Sequence, residues 1–193
     1  MLIAEIGCII YIHISNSHPL DKCLILLQST LQEKYMYTIN HKFSETCIAA
    51  DGRYLNASEI QSLEKYISTY KGRLNAYQSL HTNSNQIVLG SLKKLAKKYP
   101  DLIRSKGKRC HYDMTTTLRY MALSVLRDDE TFFQDSVVIW LDSVLVAHQK
   151  HHHCAEAYRY LLEEMSQQLS GSALNFVRPY TDSIIQLFES HVN

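Results

Sequence analysis

Glycine and proline are scarce in this chain, six and three residues of 193. Many-stranded β architectures need both for their tight turns, so the shortage points to long helices. Cysteine is sparse as well: Cys8, Cys23, Cys47, Cys110 and Cys154 are odd in number, widely spaced and without a C-x-x-C. That excludes a disulfide framework and fits reduced thiols in a cytosolic compartment. Neither sign of charge is in excess, since Lys+Arg 20 against Asp+Glu 19 leaves +1. Net charge therefore assigns no nucleic acid and no acidic partner. HExxH, GxSxG, P-loop and GxGxxG motifs are all missing, and no catalytic constellation supports an enzyme. The most apolar run, Leu2 to Ile14, is too short to span a bilayer and carries Glu5. No basic residue precedes it and no small-residue cleavage site follows, so a secretory signal is not expected. It reads as a buried packing element, or as a contact for a partner or a membrane surface.

What is present is helical periodicity. Pro19 and Asp21 precede Leu24, Leu27, Leu31 and Tyr35, an amphipathic helix in an N-terminal extension spanning 1–42. A polar stretch, Thr38 to Lys42, joins it to a domain over 43–193. Asn56 with Glu59, or Ser58 with Gln61, has capping-box spacing. The stripe Ile60, Leu63, Ile67, Tyr70, Leu74, Tyr77 predicts one long helix. Val88, Leu92, Leu95 and Tyr99 predict a second, stopped by Pro100. A basic loop, Asp101 to Lys108, follows, and a central helix carries Met114, Leu118, Met121 and Val125. Asp128-Asp129 break the pattern. Phe133, Val137, Trp140 and Val144 predict another helix ending near His148. Tyr158, Leu161, Leu162, Met165 and Leu169 predict the next, terminated by Gly171, and Ile184, Leu187 and Phe188 lie on the last, with Pro179 near its start or at a kink. The total is an all-α domain of about six main helices, a globin-like count.

The stretch Lys108-Arg109-Cys110-His111-Tyr112-Asp113 carries the candidate chemistry. On a helix, residues three apart share a face, so a thiol at Cys110 and a carboxylate at Asp113 could hold one elongated ligand, by a covalent bond and by charge. Cys110, Asp113, Thr117 and Ser124 fall on the flank of the apolar stripe, which places such a ligand in a groove beside the core. Taken alone, Cys110 reads as a routine buried cysteine. Lys93, Lys94, Lys97, Lys98, Arg104, Lys106, Lys108 and Arg109 cluster nearby. They read as a solvated face or as phosphate contacts, or Lys106, Lys108 and Arg109 among them neutralise carboxylates on a small ligand beside Cys110. His151-His152-His153-Cys154 lacks a second ligand cluster at metal spacing and reads as a solvated helix start or loop. A thiolate–imidazole pair from Cys110 and His111 has poor geometry, because helical neighbours diverge by about 100°. An axial haem ligand would have to come from unremarkable histidines such as His81, His111 or His148.

These motifs, in their order, resemble those of the phycobiliprotein family, the bilin-bearing globin-like proteins of phycobilisomes, and most of all its allophycocyanin type. Tyr54-Leu55-Asn56-Ala57-Ser58-Glu59-Ile60 is similar to the family's Tyr-Leu-x-x-x-Glu-Leu. Arg73-Leu74-Asn75-Ala76 is similar to its Arg-Leu-x-x-Ala, and Tyr99-Pro100-Asp101-Leu102-Ile103 to its Arg-Pro-Asp-Val-Val. Cys110-His111-Tyr112-Asp113-Met114 resembles Cys-Leu-Arg-Asp-Met/Leu, and Leu118-Arg119-Tyr120 resembles Leu-Arg-Tyr/Leu. The likeness begins near Phe43, is strongest over 53–126, and leaves 1–38 outside it.

The resemblance implies a globin-like fold preceded by an N-terminal helical hairpin. It implies a linear tetrapyrrole, phycocyanobilin or a related bilin, joined by a thioether to Cys110, with Asp113 binding the central pyrrole nitrogens. A protonated bilin is cationic there, and a buried carboxylate is its natural counter-ion. Tyr112 stands where the family has a propionate-binding arginine, so Lys108 or Arg109 would take over that contact, and Thr117 would line the same face. Pairing with another phycobiliprotein subunit would use Asp51, Tyr54 and Arg119. The loop before Cys110 is several residues short and lacks the family's Gly-Gly-Asn-Ala-Tyr stretch. The expected role is light harvesting or energy transfer in or near the phycobilisome, cytoplasmic and peripheral to the thylakoid. The alternative is a non-antenna globin of bilin biosynthesis or regulation that holds bilin transiently or not at all. Nucleic acid, metal and membrane insertion are not expected.

Overall fold

The structure, a computed structural model, describes residues 39–148 and 151–191. The expected helix over Leu24 to Tyr35 and the apolar run Leu2–Ile14 lie outside them. Residues 40–193 form one compact unit. Among the described residues every regular element is helical: α1 His41–Ala49, α2 Ala57–Lys98, α3 Pro100–Arg127, α4 Glu130–Phe133, a π-helical turn Gln134–Val138, α5 Ile139–His148, α6 His151–Gln168 and α7 Gly171–Ser190. This is the all-α, globin-like class expected from the sequence.

The 42-residue α2 replaces the two helices that the sequence suggested. Between Tyr77 and Val88 the segment is polar but holds no glycine or proline. Its few apolar residues, Leu80 and Ile87, carry the buried series Arg73, Ala76, Leu80, Ile87, Ser91, Leu95 across in one two-turn step of seven, the other steps being three or four. Asn56 caps α2 with a full capping box: its side chain accepts from the Ser58 and Glu59 amides, and Glu59 accepts from the Asn56 amide at 2.7 Å. Arg53 clamps Glu59 from the preceding turn at 2.8 Å.

The expected loop over Asp101–Lys108 is also helix. Pro100 stops α2 but serves as the first residue of α3, a position where its missing N–H costs nothing, and Asp101 favours that helix N-terminus. Gly107 is tolerated inside. Cys110 therefore lies in the third turn of α3 and does not lead into it. Asp128 ends α3 in the left-handed region at φ 54°, and Asp129 caps α4 by accepting from the Phe132 amide at 3.0 Å. Asn40 ties the start of α1 to that corner, donating to the carbonyls of Arg127 and Asp128 at 3.0 and 2.6 Å.

Two further expectations are corrected. Gly171 opens α7 and does not close α6, because Ser170 is the cap, accepting from the Ala173 amide at 3.3 Å. The single helix expected over Phe133–Val144 is divided by the π-helical turn. Pro179 sits within α7.

α2 and α3 run antiparallel, joined at one level by Arg73–Asp128 and at another by Asn85–His111. α6 packs on α2 and α7. Gly90 lies under the Glu164 side chain, where a Cβ would displace the carboxylate that pairs with Lys94 at 2.8 Å. Leu80, Ile87 and Leu95 of α2, Leu118 and Met121 of α3, Phe133, Leu161 and Met165 of α6 and Ile184 and Phe188 of α7 form the core. Full burial of each large side chain contributes about 1.5–3 kcal/mol.

Candidate functional site

α3 presents the candidate residues on two different flanks. With about 100° between successive residues, Cys110, Asp113 and Thr117 lie within about 60° of one another. Cys110 is half-buried and packs against the core. Thr117 is fully buried; its hydroxyl donates to the Asp113 carbonyl at 3.0 Å and accepts from the Tyr158 hydroxyl at 2.9 Å. Burial pushes the Tyr158 phenol well above its ordinary range; the Thr117 hydrogen bond opposes this, and Cys154, Asp113 and Cys110 lie close enough to add to it. Tyr158 therefore forms the back wall of the site. It escaped the motif reading because it lies 41 residues from Thr117 and reads only as a core residue of α6.

Asp113 is the electrostatic centre of this flank. Arg109, one turn back, places Nε 2.9 Å from Oδ1 and 3.0 Å from Oδ2, with the hydrogen bond directed to Oδ2. Oδ1 is buried and receives no hydrogen bond. Burial raises the Asp113 pKa, and Arg109 offsets that only in part. A half-buried carboxylate whose two oxygens share one Arg109 N–H keeps acceptor capacity for a further cationic N–H donor. The pyrrole nitrogens of a protonated bilin, the group the resemblance implies, would be such a donor, and a half-buried thiol stands one turn away. The residues present therefore fit the group.

The remaining residues divide around this pair. Arg109 is engaged with Asp113, and its guanidinium stands 5.8 Å from the centre of the Tyr112 ring. Tyr112 is exposed, about 100° around the helix from Asp113. Lys108 is exposed and points about 140° away from Asp113, so the structure does not bring it to the carboxylate. It lines instead a groove of about 450 Å³ between α2 and α3, together with Leu92, Lys93, Ala96, Ile103, Gly107 and His111. Ion pairs absorb half of the basic cluster: Lys94 pairs with Glu163 and Glu164, Lys98 with Glu156, Arg104 with Asp101, and Arg109 with Asp113. Glu156 also accepts from Tyr99 and Tyr160 at 2.8 and 3.0 Å. Burial would raise its pKa, yet these three partners together hold it at about 2.

The residues assigned to subunit pairing are all at the surface. Tyr54 is 98% exposed, and Asp51 and Arg119 are exposed and enter no ion pair among the described residues. His152 is exposed beside Tyr99, and the His153 ring meets the Tyr99 ring edge-on at 4.5 Å. Among the described residues no helix is long and apolar enough to cross a membrane.

Comparison with known proteins agrees with this architecture. The chain is 27% identical over 103 residues to the phycocyanin-645 beta chain of Chroomonas sp., which covers 48% of this chain and 58% of that protein. It is 30% identical over 98 residues to a putative allophycocyanin subunit alpha 2 of Nostoc sp., covering 47% and 61%. To the R-phycocyanin beta subunit of Synechococcus sp. it is 28% identical over 103 residues, covering 48% and 60%. The chain thus spans about three-fifths of the length of these relatives. The phycobilisome protein family model matches residues 47–188, from α1 through nearly all of α7. With most of its length matched, the chain belongs to the phycobilisome protein family.

Proposed function

We propose that this protein holds an open-chain tetrapyrrole by a thioether to Cys110, with Asp113 as counter-ion to the pyrrole N–H groups. Its role is light harvesting or energy transfer in or near the phycobilisome, in the cytoplasm and peripheral to the thylakoid, with no catalysis of its own. The observation that carries the reading is the pairing of a half-buried thiol with a carboxylate one helical turn away whose buried Oδ1 receives no hydrogen bond. Addition of the Cys110 thiol across a carbon–carbon double bond of ring A forms one C–S bond and delivers the thiol proton to the pigment. The step is redox-neutral and has no leaving group. Thr117 and Tyr158 keep the α3 backbone fixed behind the attachment point. Arg109, already bonded to Asp113, remains close enough to meet a propionate through its other nitrogens.

A second reading is favoured by a specific observation. α3 is helical from Pro100 onward, where the family carries a longer loop, and the groove opens on the flank away from Asp113. A pigment at Cys110 then has less protein around it, which suits transient holding in bilin biosynthesis or regulation better than a rigid antenna. Co-expression with a phycocyanobilin-producing pathway, followed by a denaturing gel with zinc-enhanced fluorescence, separates these readings. A fluorescent band lost in Cys110→Ala supports covalent attachment. Visible absorbance under native conditions without a band supports transient holding, and neither signal overturns both.

A further inference from the structure

The groove between α2 and α3 adjoins the Cys110 flank, since Ile103 and Gly107 lie about 20° and 60° from Cys110 around α3, but it faces away from Asp113. His111, on its rim, and Asp113 point about 160° apart on α3. Small residues on facing helices, Ala96 and Gly107, open it, and Leu92 and Ile103 make its lining apolar. It is a shallow trough of about 450 Å³, open to solvent along one side. No acidic residue lines it, while Lys93 and Lys108 stand on it from opposite sides, one on each helix.

The charge pattern sets the occupant. Of the eight cations between Lys93 and Arg109, Lys94, Lys98, Arg104 and Arg109 are bound to acids of this chain. Lys93, Lys97, Lys106 and Lys108 enter no ion pair among the described residues, and two of those four flank the groove. An apolar trough with ammonium groups on both sides is complementary to a molecule with one anionic head and an apolar body. It is a poor match to a nucleic-acid backbone, which needs a continuing track of cations.

We propose that this groove binds a single amphipathic carboxylate, its chain lying against Leu92, Ala96 and Ile103 and its head between Lys93 and Lys108. The site does not depend on a bilin at Cys110. Laurate below its micellar concentration, titrated calorimetrically into the full chain, tests it. One laurate per chain is expected, weakened at least tenfold by the double variant Lys93→Glu/Lys108→Glu and weakened by added salt. Ala96→Leu, which fills the trough, should abolish binding, whereas Lys97→Glu and Cys110→Ala should leave it unchanged. Helical circular dichroism and melting temperature establish that each variant is folded. Equal binding of dodecanol, binding insensitive to the Lys93/Lys108 reversal, or no binding at all overturns the proposal. So does retention on phosphatidylglycerol vesicles without binding of monomeric laurate, which would assign this face to a lipid surface.

Discussion

The two parts of α2 share one apolar periodicity and have opposite surroundings. From Arg73 onward eight residues are buried, among them Ala76, Leu80, Ile87 and Val88 at 0–1% exposure. Before Arg73 none is buried, and Ile60, Ile67 and Tyr70 are 45%, 61% and 47% exposed. Periodicity thus fixes the element and its face, while burial depends on whether another helix arrives to cover that face. α3, α6 and α7 cover the second part of α2. The first part carries an equally regular stripe to which no comparable cover is supplied by α3, α6 or α7. Tyr54 at 98% exposure and the surface charge Asp51 lie at the same end of the helix. We propose that this stripe is the pairing surface for another phycobiliprotein subunit, because contiguous exposed apolar residues mark such contacts.

Substitution in the covered part breaks the comparison most strongly. Leu80→Ala empties a site that is 1% exposed and is expected to cost about 2–5 kcal/mol in urea unfolding, through lost transfer energy and the remaining cavity. At the junction stands Arg73, itself 1% exposed. Its Nη2 donates to the Tyr66 carbonyl at 2.9 Å and its guanidinium lies 4.2 Å over the Tyr66 ring. Nη1 is 3.0 Å from Asp128 but makes no directed hydrogen bond, and Nε makes none either. Arg73→Ala should therefore cost about 1–3 kcal/mol, chiefly through lost packing. Arg73→Met should recover most of it, because a buried cation with unmet donors contributes little beyond its volume. If Met behaved like Ala, the charge rather than the packing would be holding the junction.

A smaller effect comes from the far end of α2, where Lys98, Tyr99 and Tyr160 converge on Glu156. Its folded pKa of about 2 lies below the ordinary 4.5, so its contribution to stability is complete above about pH 4.5 and is lost as the pH falls toward 2. Lys98 is half exposed, and solvent screening keeps the contribution below about 1 kcal/mol. Thermal melts of the wild type and Glu156→Gln should differ at pH 6 and converge near pH 2.5. A constant gap across that range would show that hydrogen-bond geometry, not ionisation, carries the contact.

The sequence foretold the helices better than their joints. Stripes such as Met114–Leu118–Met121–Val125 and the Asn56–Glu59 box read directly, because local periodicity and capping decide them. The fusion across Gln78–Ile87 and the helical Asp101–Lys108 segment did not. Polar stretches, one of them holding Gly107, look like loops until the helix cylinder on either side is seen to continue through them. The Cys110–Asp113 spacing was legible for the same local reason. The Thr117–Tyr158 bond, the shared Arg109–Asp113 contact and the adjoining groove depend on which helices meet and on where each side chain turns, and one-dimensional spacing carries neither.

The smallest change in stability should accompany the largest change in assembly. Ile67 is 61% exposed and fills no cavity, so Ile67→Ser is expected to alter the unfolding free energy of the isolated chain by no more than about 0.5 kcal/mol. If the stripe is a subunit contact, the same substitution removes an apolar anchor from its centre, where truncations cost most. Arg119→Glu reverses a surface charge that pairs with nothing in this chain among the described residues, and should act on the same equilibrium through partner electrostatics. Sedimentation of the full chain, alone and mixed with an allophycocyanin subunit, should show association weakened about tenfold by either variant, with melting temperature unchanged. Association indifferent to both would make the exposed part of α2 a solvent-facing helix that merely repeats the core pattern, and the difference between its two parts would then have no functional content.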